Sequence, residues 1–323
     1  MVRRINTRLY KLVALSLAAG FCLASSLAFA ENADKVDYQP VSSDAAVVAI
    51  ASVNPAVQPD AKLVALFQNG HRNFLNKDYA SALKWFHKAA DVGYAPAQTM
   101  LGNMYVNGFG VDGSDAAALA WFSKAAAQGD AEAEANLGVL YTEGRGVGRD
   151  YGVAADWFRR AAEQGNAIAQ SNLGLIYQEG RGVDPAPEAA VEWFRSAALQ
   201  NEPQAQALLG EMFRDGAGVE RDDIEAAWWL RKSAEQGNAD AQAKLGEMYG
   251  EGRGVHQDDT EALQWFRQAA AQGNALGEYY LGVSYAEGKG TGKNAAEASK
   301  WLASAAQQGY VPAQEYMQRE NVP

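Results

Sequence analysis

The chain has 323 residues, of which 48% are hydrophobic and 21% charged, with 32 Gly against 9 Pro. That is enough for two ordinary domains or one extended array, and apolar enough to bury a core. A formal net charge of −11 excludes nucleic acid as the main partner, because phosphate binding calls for a basic face.

Residues 1–30 have their own character. Arg3, Arg4, Arg8 and Lys11 precede an apolar run from Leu12 to Leu27, and Ala28-Phe29-Ala30 before Glu31 fits a small-x-small cleavage site. This order predicts a secretory signal peptide cleaved after Ala30, and hence a periplasmic or secreted location. The competing reading is an uncleaved membrane anchor, the only route by which the chain would meet a membrane. Cleavage removes four cations and no anion, deepening the charge of −11 by four. It also removes Cys22, the single cysteine, which follows Phe21 rather than the small residue that lipid attachment expects. The mature chain then makes no disulfide, and its stability rests on packing. Residues 31–60 carry Pro40, Pro55 and Pro59 without a sustained period. They read as a flexible linker with one short helix at Asp44–Ala51.

From residue 61 an internal repeat governs the chain. Trp85, Trp121, Trp157, Trp193, Trp229, Trp265 and Trp301 share a 36-residue step. Gly102, Gly138, Gly174, Gly210, Gly246 and Gly282 keep the same step, each preceded by Leu and followed three residues on by Tyr or Phe. In residues 131–166, Ala131, Ala133, Leu137, Leu140 and Tyr141 recur at helical spacing. Gly144-Arg145-Gly146 breaks that helix. Ala154, Trp157, Phe158, Ala161 and Ala162 define a second helix, with Gly165 suited to a left-handed cap and Asn166 to starting the next helix.

Each repeat is therefore a helix hairpin that cannot bury both faces alone, so hairpins must stack. Gly138 and Ala154 are expected to bring helices close, while Trp157 and Tyr141 fill the space between hairpins. As core residues, the tryptophans should cost about 3–5 kcal/mol when cut to Ala. Repeats span 95–130, 131–166, 167–202, 203–238, 239–274 and 275–310. Residues 61–94 form a shorter first hairpin with Lys77-Asp78-Tyr79 as its turn, and 311–323 a closing helix and tail.

The pattern A-x-A-x-x-x-L-G-x-x-Y-x-x-G-x-G-V, then A-x-x-W-F-x-x-A-A-x-Q-G-N, resembles the Sel-1-like repeat family, a relative of the tetratricopeptide repeat; the first hairpin looks like a tetratricopeptide repeat of ordinary loop length. The resemblance implies an all-α fold, a right-handed α/α superhelical solenoid of about seven hairpins. It also implies an adaptor or scaffold role. Exported bacterial members are associated with envelope regulation, polysaccharide export, secretion and host interaction. A cysteine-rich branch binds β-lactams, and this chain lacks those cysteines.

Catalytic chemistry finds little support. His71, His87 and His256 are scattered, and the first two, on the helices of the first hairpin, lack the spacing of a metal site. Neither a nucleophile elbow nor a phosphate loop of the usual kind occurs. Gly144-Arg145-Gly146, Gly180-Arg181-Gly182 and Gly252-Arg253-Gly254 follow helices and recur once per repeat, so they read as turns. Their Arg, with Lys289, are expected to pair locally with Glu143, Glu179, Glu251 and Glu287 at little energetic value. The acidic pairs Asp222-Asp223 and Asp258-Asp259 read as helix caps. Catalytic, cofactor and metal residues are expected to be none.

Residues that differ between repeats carry any specificity. The position after each Leu-Gly is Asn103, Val139, Leu175, Glu211, Glu247 or Val283. With the second helix positions, which include Ile168 and Asp240, these should line a concave groove, an apolar patch of Val139, Ile168 and Leu175 giving way to Glu211, Asp240 and Glu247. Tyr279 and Tyr280 lie beyond as candidate anchors. The leading expectation is an exported monomeric scaffold that holds a partner protein's helical or extended segment there, with basic residues meeting Glu211 and Glu247. The alternative is a cell-wall enzyme or a protein binding β-lactam or peptidoglycan.

Overall fold

A computed structural model describes residues 60–320, which hold fifteen helices and no strand. The signal-peptide reading of residues 1–30, the linker from residue 31 and its helix at Asp44–Ala51 lie outside the described residues. The chain divides into two compact units between Asp150 and Tyr151. The first holds α1 (Ala61–Leu75), α2 (Tyr79–Ala90), α3 (Ala95–Asn107), α4 (Asp115–Ala126) and α5 (Ala131–Glu143). The second holds α6 (Tyr151–Glu163), α7 (Ala167–Glu179), α8 (Pro187–Leu199), α9 (Pro203–Asp215), α10 (Asp223–Glu235), α11 (Ala239–Glu251), α12 (Asp259–Ala271), α13 (Ala275–Glu287), α14 (Ala295–Gln307) and α15 (Val311–Arg319). Within each unit every helix packs on its neighbours in sequence, and α11 also meets α13. The fold is an all-α solenoid.

The helix ends follow from their residues. α7 stops at Gly180, whose left-handed φ of 66° turns the chain while its N–H donates to the Ile176 carbonyl. The Ala186 N–H then reaches back to the Tyr177 carbonyl at 2.9 Å, which closes the loop. Asp222 accepts the N–H groups of Ile224 and Glu225, and Asp258 those of Thr260 and Glu261, so both acidic pairs begin with a capping side chain. Asn166 caps the Ala169 N–H at 2.9 Å, as the repeat predicts.

The core differs from the sequence reading in one respect. The deepest aromatic of a repeat is the Phe after the tryptophan: Phe86, Phe122, Phe158 and Phe194 are almost completely buried. Phe86, Phe122 and Phe194 are received by the helix glycines Gly70, Gly102 and Gly174; a Cβ on Gly174 would sit 2.6 Å from the Phe194 ring, and one on Gly246 2.6 Å from Phe266. The tryptophans, Trp229 excepted, are only half buried. Several carry a cation over the ring, as Lys124 does 3.8 Å from the Trp121 centroid.

Two further devices join successive repeats. The second glycine of each Gly-x-Gly turn has positive φ and rests on the start of an earlier second helix. A Cβ on Gly146 (φ +67°) would lie 2.6 Å from the Asp115 carbonyl. Arg145, beside it, forks onto the Asp115 carboxylate at 2.6 and 3.2 Å. A buried glutamine also recurs. Gln98, Gln170, Gln206 and Gln242 each donate to a carbonyl of the preceding second helix. Each in turn accepts from the glutamine that closes its own repeat, Gln128, Gln200, Gln236 or Gln272, at 2.8 Å.

Candidate functional site

The first helices of consecutive hairpins present side chains to one another, and the residues predicted for the groove fall there. In the first unit, the Asn103 amide donates to Glu132 at 3.1 Å and its oxygen accepts from Asn136 at 3.3 Å. Burial, with Asp130 adding to it, raises the Glu132 carboxyl above the usual carboxylate range, against the pull of the Asn103 hydrogen bond. Val139, on α5, is only 8% exposed.

The second unit holds a more extensive strip. Lys244 on α11 pairs with Glu211 on α9. Arg214, bonded to Asp215 at 2.8 Å, also approaches Glu247 to 3.9 Å. The Tyr280 hydroxyl donates to Glu247 at 2.8 Å while its ring stacks on Phe266, with centroids 5.0 Å apart. Burial first, then the Glu247 charge, raises the Tyr280 pKa, so the phenol holds its proton as donor. Asn274 donates to the exposed Asp240 at 2.6 Å, and Asn238 to Gln204 at 3.2 Å.

This arrangement corrects the predicted groove in three places. Leu175 is 5% exposed and belongs to the core cluster of Leu209 and Phe194. With Val139 also buried, the expected apolar patch is closed and only Ile168 remains half exposed. Glu211 and Glu247 have cations of their own chain as partners, so they are not bare anions awaiting a basic ligand. Tyr279 packs against Tyr310 and Tyr316, 5.4 and 6.4 Å between centroids, within the cluster that seats α15. A helix packed between two others has little free face, which turns Val139 and Leu175 inward and leaves Glu211 and Glu247 partly exposed.

Lys244, Arg214 and Asn274 were absent from the sequence expectation. A spacing signal marks several of the contacts. Glu211 to Lys244, Glu247 to Tyr280 and Asn103 to Asn136 are each 33 residues apart, about one helical turn short of the repeat.

Elsewhere, Arg181 pairs with Glu179 at 2.6 Å, Arg253 with Glu251 at 2.8 Å and Lys289 with Glu287 at 2.8 Å, so the turn cations are locally paired. His71 stacks on Phe67 and His87 meets Trp121 edge-on, each imidazole against a ring. Among the described residues, no group of three His, Cys, Asp or Glu could hold a metal ion, and no helix is long and apolar enough to cross a membrane.

The Sel1 repeat family profile matches residues 64–94, 95–130, 131–166, 167–202, 203–238, 239–274 and 275–310. Among solved structures, the chain is similar to a protective antigen present in uropathogenic Escherichia coli strains, which displays an SLR fold. The two are 37% identical with a TM-score of 0.69, over 78% of this chain and 55% of that one. The chain thus spans little more than half of the E. coli protein. It is also similar to a Sel1 repeat protein from Oxalobacter formigenes, at 31% identity and TM-score 0.69, over 74% of this chain and 96% of that one. No curated protein matches the chain. Seven consecutive matches, and two structures that share the hairpin stack, establish that the chain belongs to the Sel1 repeat family.

Proposed function

We propose that the chain is an interaction scaffold that holds a basic polypeptide segment of a partner protein along the first helices of its second unit. The observation that carries this reading is the strip's charge. Four carboxylates, Glu211, Asp215, Asp240 and Glu247, stand against two cations, Arg214 and Lys244. Asp240 and Asp215 are exposed, and among the described residues the partner of Asp240 is the neutral Asn274 amide. A Lys- or Arg-bearing segment would add counter-charge at these two points and exchange for the internal pairs at the others. Family membership supports the scaffold class, since Sel1 repeat proteins typically act as protein-interaction scaffolds.

The reading places the work outside the cytoplasm, in the periplasm or beyond, as the cationic start, apolar run and Ala28-Phe29-Ala30 suggest. Sequencing the amino terminus of the purified protein tests export, with Glu31 expected first. A photo-crosslinking residue at Asp240, in the producing cell, tests the strip. Captured peptides should be rich in Lys and Arg, and the pair Asp215→Lys and Asp240→Lys, with a crosslinker at Gln204, should abolish capture without loss of helicity. Capture that survives both reversals, or equals that from a crosslinker at the exposed Gln264 on α12, counts against the strip.

A further inference from the structure

The eighth tryptophan breaks the 36-residue register. Trp228 occupies a helix position that holds Asp156, Glu192, Gln264 or Lys300 in other repeats. One turn earlier, Ile224 stands where those repeats have Gly152, Glu188, Thr260 and Ala296. Both lie on the outer face of α10, and both are exposed, Ile224 at 71% and Trp228 at 48%. Lys232 covers one face of the Trp228 ring from 4.6 Å, and Trp229 meets its edge.

A second departure falls beside the first. Arg159, Arg231 and Arg267 each donate to a tyrosine hydroxyl eighteen residues on, Tyr177, Tyr249 and Tyr285. At the matching place Arg195 faces Phe213, which has no hydroxyl to offer. Its ion pair is with Glu192, one turn back on α8, through a single nitrogen at 3.3 Å. Arg195, Phe213, Ile224, Glu225, Trp228 and Trp229 line one surface pocket.

From these two departures we infer a second docking site, which takes a polypeptide segment carrying a carboxylate one helical turn from a Leu- or Phe-sized side chain. The apolar side chain would enter between Ile224 and Trp228, over the buried Phe213 and Trp229. The carboxylate would take the guanidinium donors that the missing tyrosine leaves, a charge-assisted pair that neighbouring repeats cannot offer. Lys232 adds positive charge on the far side of Trp228. Glu225 and Glu192 beside the pocket would repel a second carboxylate, so the segment carries a single acid at this place. A Trp and an Arg beside one another at a surface pocket are the residue types in which binding energy concentrates once a partner excludes water. The site is separate from the first-helix strip and takes a ligand of opposite charge.

Fluorescence anisotropy with a labelled nine-residue helical peptide of core Leu-x-x-Asp, and its Leu-x-x-Asn counterpart, tests the inference. The Asp peptide should bind, and the Asn peptide should bind about tenfold more weakly, as expected for one charge-assisted hydrogen bond. Phe213→Tyr restores the hydroxyl that captures Arg195 and should weaken the Asp peptide about tenfold with the apolar pocket intact. The double change Ile224→Thr and Trp228→Gln gives α10 the outer face of α12 and should abolish binding of both peptides. Asp240→Lys should leave binding unchanged, which separates this site from the strip. The inference is overturned if the Asp peptide does not bind, or if Phe213→Tyr leaves its affinity unaltered. A chain that sediments as a dimer, and becomes monomeric with Ile224→Thr and Trp228→Gln, would also overturn it, because a second copy would then cover the patch.

Discussion

Gln236 donates its amide hydrogen to Gln206 across 2.8 Å, thirty residues back along the chain, and Gln206 donates to the Ala198 carbonyl at 3.2 Å. The rung ties the end of α8, the start of α9 and the end of α10 through one buried amide. Gln206 is 1% exposed. The same rung stands on Gln98, Gln170 and Gln242, while Glu278 takes this place near the C-terminal end and accepts from Gln308 at 2.8 Å.

Gln206→Leu should lower stability by about 2–3 kcal/mol, read as a shift in urea midpoint. Three hydrogen bonds are lost, to Ala198, Asn201 and Gln236, at roughly 1 kcal/mol each. No partner is stranded, because the Ala198 carbonyl also accepts the Asn201 N–H at 3.0 Å and the Asn201 and Gln236 side chains are exposed to water. Gln206→Glu should cost more at neutral pH, since it buries a charge and removes the donor to Ala198. Equal costs for Leu and Glu would show that the rung is wetter than the structure indicates.

The glycine seat of the buried phenylalanine gives a coupled prediction. Gly174→Ala puts a Cβ 2.6 Å from the Phe194 ring and should cost about 1–3 kcal/mol as overpacking. Phe194→Ala should cost about 3–5 kcal/mol as a cavity. The double variant should cost clearly less than the sum, because the clash disappears with the ring. Phe122→Ala should also exceed Trp121→Ala, which removes a half-buried ring that lies under Lys124. Thermal unfolding of the set decides both points.

Two turn glycines separate backbone strain from contact. Gly129 has φ +81° with nothing within 4 Å of a Cβ, so Gly129→Ala should cost about 1 kcal/mol, the penalty of the left-handed conformation. Gly146 has φ +67° and would place its Cβ 2.6 Å from the Asp115 carbonyl. Gly146→Ala should therefore cost clearly more, by at least about 1 kcal/mol on overpacking grounds. Similar values for the two would mean that the turn can lift off α4 freely.

Much of this fold is legible in the sequence because it repeats. A 36-residue register of Trp, Leu-Gly and Gly-x-Gly fixes hairpins, caps and turns before any coordinate is seen. What the register conceals is depth. Trp193 and Phe194 are adjacent and share one register, with the tryptophan in all seven repeats and the Phe in five, so periodicity alone does not say which ring the opposing glycine admits. The apolar part of the predicted groove was misjudged for a related reason, since Val139 and Leu175 vary between repeats as surface residues do, yet lie inside. Lys244 on Glu211 and Tyr280 on Glu247 were recoverable from a 33-residue spacing, which becomes visible once helices of successive repeats are laid side by side.

Glu202 supplies a pH test. It stands where Asn166, Asn238 and Asn274 cap other first helices, and it accepts the N–H groups of Gln204 and Ala205. Burial nevertheless raises its carboxyl pKa, and the hydrogen bonds from Ala205, Gln204 and Ser171 offset only part of that rise. A carboxyl with a folded pKa above its unfolded value binds its proton more tightly in the native state. Its favourable contribution is complete below the ordinary value of 4.5 and is lost as pH climbs through the raised one. Carboxylates such as Asp215, held low by Arg214, act in the other direction and only at more acid pH. Glu202→Asn restores the capping residue of the other repeats, with no group to titrate. Between pH 5 and pH 8 the urea midpoint of the parent should therefore fall further than that of the variant, with the variant the more stable at pH 8. A parent and variant that track each other across this interval would place the Glu202 carboxylate in water, and would leave Asn as a better cap for reasons of geometry alone.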